Sequence, residues 1–240
     1  MTENARDIRF DVPLYTVAEA ARGLGVPPTT LARWGKGYEV RVAGRRPVKG
    51  APIVTMRSGA PREPVVPFVG LAEAMVLAAI RSAGVPLQRV RPALELLKTE
   101  IGLEHALASK KLYTDGAEVL FDYARSTSDE GGGGTVSDLV VVRSGQRVFA
   151  QVIIDYLSRI TYGRDGYAQV IRLPGFEHAD VVADPRRSFG QPIFTHGGAR
   201  VSDVLDRFWA GERLEDLADE FGVPAVEIED VLRAASRRAA

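Results

Sequence analysis

Apolar positions recur at helical spacing in several regions of the 240-residue chain, and the first of them predicts a pair of helices. Val17, Ala20, Ala21 and Leu24 fall at i, i+3, i+4 and i+7, a single buried stripe, with Thr16 placed to cap the helix start. Gly25 stands where the helix end calls for a left-handed residue, Val26 can fold back on the stripe, and Pro27-Pro28 reopen the chain with φ near helical. A second helix, from 28 to about 35, buries Leu31 and Trp34 and turns Thr29, Thr30 and Arg33 to its far side. The pattern is a helix-turn-helix, and those three residues are the candidate readers of DNA bases.

Short extended pieces at 38–42 and 53–56 lie in a Pro- and Gly-rich segment and predict a wing after the second helix. Residues 1–13 read as a lead-in arm or edge strand. From 69 the helical period returns, with Leu71, Ala74, Met75 and Ala78 on one face. Leu87, Val90, Leu94, Leu97 and Ile101 continue it as a core seam that Pro92 should kink or restart. Residues 112–123 should form a strand or short helix, and the polar run STSDEGGGG at 126–134 reads as a flexible linker.

Beyond it the period becomes two. A strand is expected at 137–142, then a helix carrying Val152, Ile153, Tyr156, Leu157 and Ile160. A hairpin follows, whose strands at 160–162 and 167–173 flank Gly163-Arg164-Asp165-Gly166. Residues 181–199 are loop-rich. Three short amphipathic helices close the chain, carrying Val201, Val204, Leu205 and Phe208; Leu214, Leu217 and Phe221; and Ile228, Val231 and Leu232. Gly-Val-Pro joins helices at 25–27, 84–86 and 222–224, a repeat best explained by shared turn chemistry. The expected fold is α+β, mainly α. A winged helix-turn-helix domain spans 1–125, and a small α+β domain at 135–240 ends in a second helix-turn-helix-like unit.

Charge adds direction to this layout. Between Arg22 and Arg62 nine basic side chains face one acid, Glu39, a net +8 hidden by a whole-chain charge of zero. Basic chain at this density attracts phosphate. Lys36, Arg41, Arg45, Arg46 and Lys49 are therefore candidate positioning contacts beside the readers, with the wing reaching phosphate or the minor groove. From Arg200 to Asp230 the balance reverses to three basic and ten acidic residues. That surface repels phosphate and suits a protein partner or a second copy of the chain.

Enzyme signatures are missing. The sequence has no cysteine and only three histidines, His105, His178 and His196, without metal-ligand spacing, so no cofactor or metal is expected. His196 reads as a solvated loop residue. Trp34, Phe208 and Trp209 read as core, Trp209 with the further option of a partner surface. The apolar run 68–80 is broken by Glu73 and too short to span a membrane, and the charged N-terminus lacks a signal core, so a cytoplasmic protein is expected.

The stretch LYTVAEAARGLGVPPTTLARW resembles the helix-turn-helix of MerR-type and excisionase-like domains, and AGVPLQRVRPALELL resembles the helical segment after the wing in the MerR type. Residues 181–235, with their Asp-Pro turn, Gly-x-Pro segment and three helices, resemble a small helical domain found in VapB-type antitoxins. The family has a Gly-Thr-Arg step where this chain has Gly198-Ala199-Arg200. The resemblance implies an antitoxin that neutralises a toxin of the PIN-like ribonuclease fold and, as a dimer, binds its own double-stranded operator. The acidic half, with Arg200, Asp203, Asp206, Trp209, Glu215, Asp216, Asp219 and Glu220, then becomes the candidate partner surface. A stand-alone MerR-type regulator with a ligand-sensing C-terminal half is the second reading, and a nucleic-acid-processing enzyme the third.

Overall fold

The first helix of the helix-turn-helix and the C-terminal sheet pack into one unit. The computed structural model describes residues 7–40, 48–60, 62–82, 102–112 and 155–236, together with 87, 90, 91, 94, 95, 98 and 99. In chain order these form α1 (Ile8–Asp11), β1 (Pro13–Tyr15), α2 (Val17–Leu24), α3 (Pro28–Lys36), β2 (Tyr38–Val40), β3 (Val48–Gly50), β4 (Val66–Pro67) and α4 (Phe68–Ser82). They continue as β5 (Ile160–Tyr162), β6 (Ala168–Arg172), β7 (Val181–Ala183), β8 (Ile193–Phe194), α5 (Val201–Trp209), α6 (Leu214–Phe221) and α7 (Ala225–Ser236). The architecture is α+β and mainly helical, as the periodicity predicts.

Two compact units share the chain. The first draws on residues 1–32, 56–71 and 169–240, the second on 33–55 and 72–168. In the first, β1 pairs antiparallel with β4, and β6, β7 and β8 pair antiparallel in that order. Its core includes Tyr15, Leu24, Leu31, Phe68, Ile171, Val181, Phe194, Val204, Leu217 and Ile228, all buried. The turn after β6 rests on α2: Gly175 N–H donates to the Gly23 carbonyl at 3.0 Å, and Leu173 lies over Gly23. In the second unit β2 and β3 form a hairpin, with Trp34, Val54, Met75, Leu77, Ile80 and Leu107 buried.

Several expectations need correction. The N-terminal arm contains a helical turn, α1, because the Asp7 side chain caps it by accepting Arg9 N–H at 3.0 Å. The strand expected at 53–56 does not form. Ile53 and Val54 donate their N–H groups to the Trp34 carbonyl, and β2 pairs instead with Val48–Gly50. Helix α4 is not one-faced. It is buried nearly all round, which suits its continuous apolar composition, and Ala78 from the expected stripe is one of its less buried positions. Residues 181–199, expected to be loop, supply β7 and β8. The linker at 126–134, the strand at 137–142 and residues 113–123 lie outside the described residues.

Candidate functional site

The helix-turn-helix is assembled from local signals. Thr16 Oγ1 accepts Glu19 N–H at 3.2 Å while Glu19 Oε2 accepts Thr16 N–H at 2.8 Å, a capping box at the start of α2. At the other end Gly25 takes φ 72, and Val26 N–H reaches back to the Ala21 carbonyl, satisfying the last turn. The Pro27 carbonyl then accepts the N–H groups of Thr30 and Leu31 and starts α3. Leu31 is fully buried and Trp34 is 3% exposed. Thr29, Arg33 and Lys36 are exposed and Thr30 half-buried. Positions 29, 33 and 36 share one face of α3, opposite its buried residues. Neither Arg33 nor Lys36 has an ion-pair partner among the described residues.

Gly37 carries the chain from α3 into the β2–β3 hairpin at φ 72, and a Cβ there would collide with the Gly50 carbonyl oxygen. The backbone of Lys49 pairs with Glu39 in this hairpin. Arg41, Arg45 and Arg46 lie outside the described residues.

The proposed partner residues sit on α5 and α6. Arg200 Nε donates to Asp203 Oδ2 at 2.8 Å at the start of α5. Asp206, Glu215, Asp216 and Asp219 are exposed, and Asp206, Asp216 and Asp219 have no ion-pair partner among the described residues. Glu220 is not free, since Arg207 grips both it and Glu212 and lies 5.1 Å from the Phe221 ring centroid. Its hydrogen bonds to Glu220 and Glu212 raise the Arg207 pKa, and the two carboxyls are held below their ordinary range. Trp209 is 60% exposed, so the core reading of this residue fails while the partner-surface option stands.

Charge counting along 200–230 overstates the acidic surface, because Glu227 and Asp230 point inward. Both are buried on α7. Asp230 Oδ2 accepts N–H from His178 at 2.6 Å and from Ala179 at 2.9 Å, and Glu227 Oε2 accepts from Asp180. Burial pushes the Asp230 carboxyl up, but the backbone N–H groups of Ala179, His178 and Glu177 outweigh it and leave the pKa below the ordinary value. His196 is likewise no simple solvated residue: its Nδ1 lies 2.7 Å from Glu227 Oε1. Its neighbour Gly197, at φ 67, comes so close to α6 that a Cβ would collide with the Phe221 carbonyl oxygen.

The second unit also holds a polar cleft that the sequence pattern does not predict. Its volume is about 230 Å³, and Thr55, Glu73, Arg91 and His105 are among its lining. Buried Glu73 accepts Thr55 N–H at 2.5 Å and faces His105 Nδ1 at 2.8 Å. That bond to Glu73 raises the His105 pKa against the opposing effect of burial. The one signal for it in the sequence is a glutamate inside an otherwise apolar run. Among the described residues there is no grouping suited to a metal ion, and no helix is long and apolar enough to cross a membrane.

Comparison with known proteins bears on both ends of the chain. Residues 13–94 match a family described as "Putative DNA-binding HTH domain", and residues 181–236 match "Protein of unknown function (DUF433)". The chain is similar to "Putative antitoxin VapB45" of Mycobacterium tuberculosis (strain ATCC 25618 / H37Rv), with 48% identity over 230 residues, covering 95% of this chain and 96% of the relative. It is 31% identical over 231 residues to "Uncharacterized protein Rv2308" of the same strain, covering 93% and 90%. The crystal structure of Rv2018 from Mycobacterium tuberculosis superposes with a TM-score of 0.71 at 42% identity, covering 93% of this chain and 99% of that one.

Proposed function

The chain belongs to the family of "Putative antitoxin VapB45", and from that premise we propose that it neutralises a toxin of the PIN-like ribonuclease fold and represses its own operon. Each half has one task. The winged helix-turn-helix, as a homodimer, holds operator DNA, with Thr29, Thr30 and Arg33 at base edges and Lys36, Arg41, Arg45, Arg46 and Lys49 on phosphates. The acidic face of α5 and α6 receives the toxin. Asp203, Asp206, Glu215, Asp216 and Asp219 are complementary to a basic, RNA-binding groove, Arg200 orients Asp203, and Glu220 serves by holding Arg207. The protein itself is non-enzymatic and works in the cytoplasm.

The observation that carries this reading is Trp209, an exposed tryptophan on the same helix as Asp206, which has no ion pair among the described residues. Large aromatic anchors of this kind dominate protein interfaces. The test is to express the product of the adjacent reading frame alone and together with this chain. Loss of growth arrest and RNA cleavage on co-expression, with co-purification of the two proteins, is the expected result. A harmless or non-binding neighbour sinks the proposal.

The cleft formed by Thr55, Glu73, Arg91 and His105 favours a second reading, a MerR-type regulator that senses a small polar ligand. A metabolite that shifts operator affinity while the neighbouring product has no effect would select it.

A further inference from the structure

Between β7 and β8 the chain makes an unusual loop. Ser188 and Phe189 take φ 47 and 53, two successive non-glycine residues in the left-handed region, and Gly190 continues at φ 77. Left-handed backbone strains ordinary L-residues. The surrounding structure nevertheless holds it: the Asp184 side chain accepts Arg186 N–H, the Asp184 carbonyl accepts Arg187 N–H, and the Tyr15 hydroxyl donates to the Gly190 carbonyl at 2.7 Å. The result is display. Phe189 is 81% exposed, beyond Trp209 and Val226, the other exposed large apolar side chains among the described residues.

The charges of the loop are equally distinctive. Residues 181–236 contain six arginines and no lysine. Arg200, Arg207, Arg213 and Arg233 are each ion-paired to an acid of the same helical block. Arg186 and Arg187 are exposed and form no ion pair among the described residues. Within 181–236, the two arginines beside the displayed aromatic are the ones left without an ion pair among the described residues. Tyr15, which anchors the loop, immediately precedes Thr16, the cap of the first helix of the helix-turn-helix.

We propose that residues 184–190 form a second DNA-contacting element, in which Arg186 and Arg187 hold phosphates of the bound duplex and Phe189 wedges into its minor groove. Strained backbone clusters where a side chain must be presented to a ligand, and apolar wedges with flanking arginines are one way proteins engage the minor groove. Anchorage on Tyr15 favours the duplex held by the helix-turn-helix over a protein seated on the acidic helices. The inference rests on the DNA-binding reading above and extends the DNA interface into the C-terminal half.

The experiment is anisotropy titration of the full chain against a duplex of its own promoter at several salt concentrations. Arg186→Ala with Arg187→Ala should reduce the slope of log affinity against log salt by about 2, near 0.9 for each phosphate that is no longer neutralised. Phe189→Asn should leave the slope unchanged and weaken binding about tenfold. Asparagine tolerates left-handed backbone, so the same variant should melt at a higher temperature than the parent. A purely structural role cannot raise stability and lower affinity together. Parent-like affinity and slope in both variants, while Arg33→Ala loses binding, overturns the loop assignment alone. Failure of the parent to bind DNA overturns this proposal and the DNA-binding reading together. Variants that keep DNA affinity but lose capture of the toxin move the loop to the protein interface and also overturn it.

Discussion

The Tyr15 hydroxyl donates a buried hydrogen bond to the carbonyl of Gly190, 175 positions along the chain. Burial, with Asp184 and Glu19 nearby, pushes the phenol far above its ordinary pKa, so the hydroxyl remains a donor throughout the usable pH range. The bond ties β1, which leads into the helix-turn-helix, to the loop between β7 and β8. Gly175 and Gly23 make a second tie at the other end of α2. The first helix of the helix-turn-helix is thus held at both ends by the C-terminal half.

Tyr15→Phe removes the donor but keeps the ring, leaving the Gly190 carbonyl without that partner. Stability should fall by about 1–2 kcal/mol. In urea the midpoint should drop with an unchanged m-value. An unshifted midpoint would show that the hydroxyl contributes nothing to the anchoring.

Asp230 should matter more. Asp230→Ala leaves the N–H groups of His178 and Ala179 without their acceptor, and a loss of about 2–4 kcal/mol is expected. The pH dependence has a defined sign. A carboxyl whose folded pKa lies below its unfolded value contributes stability above the unfolded pKa, about 3.9, and loses it as pH falls through the folded value. Thermal melts across that acid range should show a shallower decline for the variant than for the parent.

Arg33 and the pair Arg45 and Arg46 should fail differently on DNA. Arg33→Ala should lose discrimination between operator and unrelated duplex, by about 1–3 kcal/mol. Arg45→Ala with Arg46→Ala should weaken all sequences alike and flatten the salt dependence. Parent-like binding by both would remove the winged-helix assignment.

Trp209→Ala tests the partner surface. An exposed aromatic anchor should contribute about 2 kcal/mol or more to toxin capture and little to folding. The expected outcome is a large rise in the toxin Kd by calorimetry with an unchanged melting temperature. An equal loss in both would mean that Trp209 packs within the chain.

The helix-turn-helix is legible in the sequence because its signals are local. Thr16, Gly25, Val26 and Pro27 act within a turn of their own positions, and the same holds for the three closing helices. For α4 the apolar period points to one buried face, because period alone cannot tell how many neighbours will cover a helix. The second hairpin strand is misplaced by the pattern for a related reason. Residues 48–50 and 53–56 can both extend, and the Trp34 carbonyl, which takes the N–H groups of Ile53 and Val54, leaves the pairing with β2 to Val48–Gly50.

Charge shows where sequence stops. Composition alone determined the basic run after Arg22, the acidic C-terminal helices, the lack of cysteine chemistry and the mainly helical α+β class, since each depends on residue type and near-neighbour spacing. Only tertiary structure decided which charges remain available. It buried Glu227 and Asp230 against backbone N–H groups, committed Arg207 to two glutamates, and left Arg186, Arg187 and Asp206 without an ion pair among the described residues. The physical reason is that a charge acts through the atoms within a few ångströms of it. For Glu227 and Asp230 those atoms belong to residues 178–180, a segment that the sequence keeps far away.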